Sequence, residues 1–206
     1  MSKIRFASQS MLLPLSILAN VQVPATFRGS SPKETSDGNV HVLTTGDLFA
    51  SQPPRCERLP RILLGEKYVT GCLSPGDIVL PSRGDRYRAW RFDGTRTGEA
   101  VFPMGLYVIR SHAEVHPGYL AWYINQRSAQ AQIALLLTGS NIKALTKAAL
   151  LKLEIEVPSL DRQHEIADLE DTMQRIIAIR NRISEIEQQE VAYATHRLLR
   201  DESAHA

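Results

Sequence analysis

The chain has two cysteines in 206 residues, Cys56 and Cys72. Two are too few for a disulfide framework and lack the CxxC spacing of a zinc site, so they read as idle thiols of a reducing cytoplasm. Long apolar runs are equally scarce. Only residues 11–19, MLLPLSILA, approach one. Pro14 interrupts that stretch, which is well short of the ~20 residues a membrane span needs. Gln9 and Ser10 separate it from Lys3 and Arg5, and no clean small-x-small cleavage site follows. That argues against a secretory signal and for a first strand or short helix of a folded domain.

Catalytic signatures are missing as well. The chain has no (D/N)PP(Y/F) motif of an adenine methyltransferase, no glycine-rich S-adenosylmethionine loop, no P-loop and no PD…(D/E)xK nuclease string. His112 and His116 bracket HAEVH, which is not HExxH, and Pro117 directly after it argues against the single helix such a motif requires. The other histidines are scattered, so no nucleophile with its base can be nominated.

What is present is an uneven distribution of charge. Residues 1–153 hold 18 Lys and Arg against 10 Asp and Glu, a net of +8, whereas residues 154–206 hold 6 against 12, a net of −6. A basic globular part suits a nucleic-acid ligand, because phosphate neutralisation supplies most sequence-independent affinity. An acidic tail is repelled by DNA and suits a protein partner.

The densest basic segment is Ser82–Arg96, SRGDRYRAWRFDGTR, where Arg83, Arg86, Arg88, Arg91 and Arg96 interleave with Tyr87, Trp90 and Phe92. Arginine forks bind phosphates or guanine edges, and aromatics stack or shape a loop, so Arg83, Arg86, Tyr87, Arg88 and Arg91 are candidate DNA contacts. The alternative is a strand whose arginines face solvent. Arg83-Gly84-Asp85 reads as a turn.

Upstream, ILLGEKYVTGCLSPGDIVL places Pro75 and Gly76 at the centre of a type II turn leading into a strand, Ile78–Leu80. VHVLTTGDLF carries a brief alternation at Val40, Val42 and Thr44. Lys33, Arg55, Arg58 and Arg61 lie in loops nearby and are placed to reach phosphates or simply solvent. After a strand at Gly105–Arg110, Pro117 begins a helix whose apolar stripe runs to Leu137. Gly139 stops it. Ser140, Asn141 and Lys143 follow in a turn suited to holding a phosphate, a contact that fixes register without reading sequence.

The last informative stretch is TGSNIKALTKAALLKLEIEVPSLDRQHEI, residues 138–166. A turn, a short helix and a strand are expected in it, ended by Pro158, with Asp161 as the cap of a long charged helix. From Ile166 the apolar positions fall at Leu169, Met173, Ile176, Ile179, Ile183 and Ile186, with a three-residue slip after Ile176. The seam is coiled-coil-like and locally overwound. About 35 residues at 1.5 Å each reach ~50 Å, more than a small domain needs, which favours a partner helix over a helix lying on its own domain.

Together these strings resemble the specificity (S) subunits of type I restriction-modification systems. VPSLDRQHEI is similar to the family's PxPPLxEQxxI spacer pattern at Pro158, Leu160, Gln163 and Ile166, with Ser159 and His164 as departures. LSPGDIVL resembles its LxPGDIL segment. The resemblance implies an α/β (α+β) target recognition domain with a mixed or antiparallel sheet and flanking helices, residues 1–157. A spacer helix for dimerisation and methyltransferase docking follows, residues 158–200, and then a tail, residues 201–206. Full-length members hold two recognition domains and two spacer helices; this chain has one of each and no internal repeat. The expectation is a non-catalytic, cytoplasmic reader of double-stranded DNA that directs an adenine methyltransferase, as a homodimer reading a bipartite palindrome or, as the alternative pairing, joined to a different half-subunit. S-adenosylmethionine, and ATP with magnesium if a restriction subunit joins, belong to the partners, and this chain is expected to bind no cofactor. A regulatory or decoy half-subunit that occupies the methyltransferase is the alternative.

Overall fold

A computed structural model describes residues 10–24, 33–49, 54, 56–95, 98–139 and 142–203. The chain forms two compact units, Met1–Asp168 and Leu169–Ala206.

The first unit opens with strand β1 (Met11–Pro14), one helical turn α1 (Leu15–Leu18) and β2 (Ala19–Gln22). Then come β3 (Val40–Thr44), 3₁₀ turns at Thr45–Phe49 and Cys56–Arg58, β4 (Arg61–Ile62), α2 (Glu66–Val69), β5 (Ile78–Pro81) and β6 (Trp90–Arg91). Next are β7 (Val101–Met104), β8 (Leu106–Ser111), α3 (Pro117–Ile124), α4 (Arg127–Leu136), α5 (Lys147–Leu150) and β9 (Glu154–Val157). The long helix α6 (Leu160–Ser203) completes the chain.

The central layer is the four-stranded sheet β2-β8-β5-β6, antiparallel throughout. Side chains alternate across a pleated sheet, and here both faces are covered. Ile78, Leu80, Tyr107 and Ile109 face a core with Leu120, Ile124, Ile133 and Leu150 of the helices. Val79, Leu106 and Val108 face the opposite way, onto Leu43, Leu48 and Val101 of the second sheet and its loop. That second sheet, β4-β3-β7, pairs β3 with β7 in parallel and has its own outer cluster of Val40, Val42, Ile62, Leu64 and Phe102. Burial on both faces explains why β3 is apolar-in at successive positions, with even His41 3% exposed, rather than half-buried as its alternation suggests. His41 is satisfied by the Leu59 carbonyl at 3.0 Å and the Glu99 carboxylate at 3.1 Å.

The helix expected from Pro117 to Leu137 is two helices. Asn125 and Gln126 interrupt it because the Asn125 side chain is used elsewhere: its Oδ1 accepts from the Ala89 amide at 2.8 Å and its Nδ2 donates to the Ala89 carbonyl at 2.9 Å. Gln126 is extended, with ψ 151°, and starts α4. The type II turn forms as expected: Gly76 has φ +91° and the Asp77 amide donates to the Ser74 carbonyl at 2.9 Å. No helix among the described residues is long and apolar enough to cross a membrane.

The start of α6 belongs to the first unit. It begins at Leu160, so Asp161 lies in its first turn rather than at its cap. Gln163 is fully buried: its Oε1 accepts from the His116 amide at 2.9 Å, and its Nε2 donates to the Pro158 carbonyl at 2.9 Å. Ala167 is 1% exposed and meets Gly118, where a Cβ would stand 3.0 Å away. Ile166 packs on the main core.

Candidate nucleic-acid interface

Beyond β5 the chain leaves the central sheet as Ser82, Arg83 and Gly84, and a hairpin from a distant part of the sequence is laced onto it. Thr138 and Ala144 exchange backbone hydrogen bonds at 3.0 and 2.8 Å. Gly139 takes φ +99°, and any Cβ there would collide with the Ile142 carbonyl, so glycine is required for this turn. The hairpin's return strand then docks on the β5 extension. Gly84 donates its amide to the Lys143 carbonyl at 3.0 Å, and the Leu145 amide donates to the Ser82 carbonyl at 3.0 Å. Two tyrosine hydroxyls lock it from below, Tyr87 onto the Lys143 carbonyl at 3.0 Å and Tyr107 onto the Leu145 carbonyl at 2.7 Å. Burial pushes both phenols up from their ordinary range, so they remain neutral donors.

The result sets the exposed Arg83 segment beside the exposed Ile142 and Lys143 of the hairpin, Ile142 being 69% exposed, with exposed Arg86 three residues further along the same segment. Ser140 and Asn141, expected at this turn, lie outside the described residues, as do Arg55 and Arg96.

Other candidates are placed differently. Tyr87 is 4% exposed and part of the core, so its expected use as a contacting ring is corrected: it holds the hairpin. Arg91 is likewise committed within the fold. Its Nε donates to Asp93 at 2.5 Å, and its guanidinium lies over Gly118 at the start of α3. Arg88 is half-buried and stacks 4.5 Å above Trp90. Lys33 is exposed but adjoins the Glu34–Ile62 bridge at the β4 edge, on a different sheet from Arg83. Arg61 is structural, bonded to the Gly38 carbonyl at 2.9 Å and to Glu99 at 2.8 Å.

Three supports escaped the sequence reading. Asp77 of the Pro-Gly-Asp turn accepts from the Ser74 amide at 2.9 Å and takes a two-point grip from Arg110 at 2.8 and 2.9 Å. This pairing raises the Arg110 guanidinium pKa further. Gln130 and Asn125 clamp the Tyr87–Ala89 backbone from the helical side, Gln130 donating to the Tyr87 carbonyl at 2.8 Å. Their only sequence signal is polarity inside an apolar stripe. Among the described residues no cluster of three or more His, Cys, Asp or Glu is arranged to hold a metal ion.

Along the second unit, the apolar stripe has no cover. Leu169 is 68% exposed, Met173 50%, Ile179 61% and Ile183 50%, with Ile176 and Ile186 also exposed. Ile166, expected to begin this seam, is instead spent on the globular core.

Residues 96–188, which hold the hairpin, the spacer string and most of the seam, match the family model of the type I restriction modification DNA specificity domain. Over that stretch the chain is similar to this family of specificity domains. The fold agrees with solved type I structures. The S subunit from M. genitalium matches with a TM-score of 0.56 at 13% identity, covering 84% of this chain and 41% of that one. The HsdS subunit from Thermoanaerobacter tengcongensis gives 0.55 at 14% identity, covering 87% and 41%. A chain from work on complex assembly and conformational transition of the type I R-M system gives 0.60 at 16%, covering 87% and 42%. The chain thus spans less than half the length of these structures. No curated protein matches it by sequence.

Proposed function

We propose that the globular unit reads double-stranded DNA and addresses an adenine methyltransferase to its target, with a restriction subunit as a further partner. The observation that carries this reading is the joining of the Arg83 segment to the Lys143 hairpin, which makes neighbours of two cation-bearing segments remote in sequence, on a unit of net positive charge. Phosphate contacts from Arg83, Arg86 and Lys143, with Ser140 and Asn141 at the turn, would fix register, and base edges would then be read from the same surface. The chain supplies address and geometry. S-adenosylmethionine, and ATP with magnesium, belong to the partner subunits, and the domain boundary that matters functionally is the spacer at residue 158.

Self-association through Leu169, Met173, Ile176, Ile179, Ile183 and Ile186 completes the reading, because a lone helix leaves that stripe in water. A two-fold pair would read a bipartite palindrome. The test is duplex binding by the full chain across a salt series, with light scattering of the chain alone and with its methyltransferase. Arg83→Gln combined with Lys143→Gln should flatten the log–log salt slope by about 2, near 0.9 per phosphate lost. An unchanged slope and affinity sinks the assigned interface, and a single copy in the assembled complex sinks the palindrome.

A further inference from the structure

We infer that Arg88 is a base-reading residue and that the base it selects is guanine; this rests on the DNA-reading role proposed above. Phosphates need only a nearby positive charge, and exposed Arg83, Arg86 and Lys143 offer that. Reading a base edge needs a side chain held to a fraction of an ångström, and Arg88 is the arginine of this segment built that way.

Its backbone is gripped on both sides. Gln130 donates to the Tyr87 carbonyl at 2.8 Å, and Asn125 makes two bonds to Ala89. Its head is laid on a platform: the guanidinium carbon stands 4.5 Å above the Trp90 ring. The platform is itself fixed, since Trp90 is 7% exposed and its indole N–H donates to the Leu48 carbonyl at 3.3 Å. Stacking uses the face of the guanidinium and leaves its outer edge, with paired N–H donors, for a ligand.

No carboxylate competes for that edge among the described residues. Asp93, the acid nearest in sequence after Asp85, is taken by Arg91. The Arg88 Nε is itself buried, so the pair of donors a base would meet is the two terminal nitrogens. A planar fork fixed in orientation matches the O6 and N7 acceptors of guanine in the major groove.

The experiment is selection of the full chain on a random-sequence duplex library, followed by sequencing, for wild type, Arg88→Lys and Arg88→Ala. Wild type should select a motif with at least one required guanine. Both variants should relax that position by about 5- to 150-fold while the other positions hold. The lysine variant keeps the charge and should keep affinity for duplexes lacking that guanine, which separates lost reading from lost folding. Guanine preference intact in Arg88→Lys would overturn the assignment. So would a uniform loss across all sequences with a flatter salt slope, the behaviour of a phosphate contact. If wild type selects no motif at all, the DNA-reading role itself falls and Arg88 with it.

Discussion

The globular unit and the helix beyond Asp168 handle apolar surface in opposite ways. In the first, both faces of the central sheet are covered, and side chains such as Ile78, Leu80, Leu106 and Ile109 are fully buried. In the second, Leu169, Met173, Ile179 and Ile183 lie at 50% exposure or more on a helix of high charge. One unit therefore has a reason to fold by itself, whereas the other has a reason to find a second helix. The charges lean the same way, a net of +4 for residues 1–168 and −2 for residues 169–206, with the sharpest change earlier, at Leu153. That difference is what the proposed division of roles, nucleic acid on the basic part and a protein partner on the helix, requires.

The largest expected effect breaks this contrast on the helical side. Ile179→Asp with Ile183→Asp should dissociate a self-associated chain, costing on the order of 5 kcal/mol per dimer because four apolar side chains lose burial. Sedimentation should show the shift while the melting of the globular unit stays put; a dimer that survives would mean the seam lies elsewhere. Next comes the core. Ile109→Ala removes a fully buried side chain and should destabilise the globular unit by about 2–5 kcal/mol in urea unfolding, leaving oligomeric state intact.

Gln163 sharpens the border between the two. Gln163→Leu strands the His116 amide, which should cost about 1–3 kcal/mol of globular stability. The exposed Arg182→Ala further along should cost under about 0.5 kcal/mol. Equal effects from the two would erase the distinction between the helix start and the rest. The smallest effect is alkaline. Tyr87, Tyr107 and Tyr119 all have phenols raised by burial in the folded state. Their stabilising contribution is therefore complete below the unfolded value of about 10 and lost as pH rises through the higher folded values. Urea midpoints should fall above pH ~10, and Tyr107→Phe should flatten that fall.

Much of this architecture was legible in the residues. Pro75 and Gly76 announce the type II turn because only a residue tolerant of positive φ suits its third position. Continuous Ile78-Val79-Leu80 marks a strand buried on both faces. The spacer string located the start of α6 to within two residues, since Pro158 cannot continue a ladder and the charged heptads follow. The break at Asn125 was missed because its cause is a bond to Ala89, 36 positions away. The burial of Tyr87 and the pairing of Arg91 with Asp93 were not legible for a related reason: a basic-aromatic segment looks the same whether its side chains point to solvent or into the fold.

Composition and local pattern, then, by themselves determined the split into basic and acidic parts, the turns, the spacer and the apolar seam, because each depends on residues adjacent in sequence or one helical turn apart. Which cation-bearing segments are neighbours was decided by tertiary structure alone. Arg83 meets the Lys143 hairpin only because Ser82 and Gly84 of the β5 extension offer backbone bonds that the hairpin completes, and because Tyr87 and Tyr107 rise from the sheet to hold it. Such contacts rest on the order of strands and on buried polar groups finding partners, and neither is encoded in any short stretch of the chain.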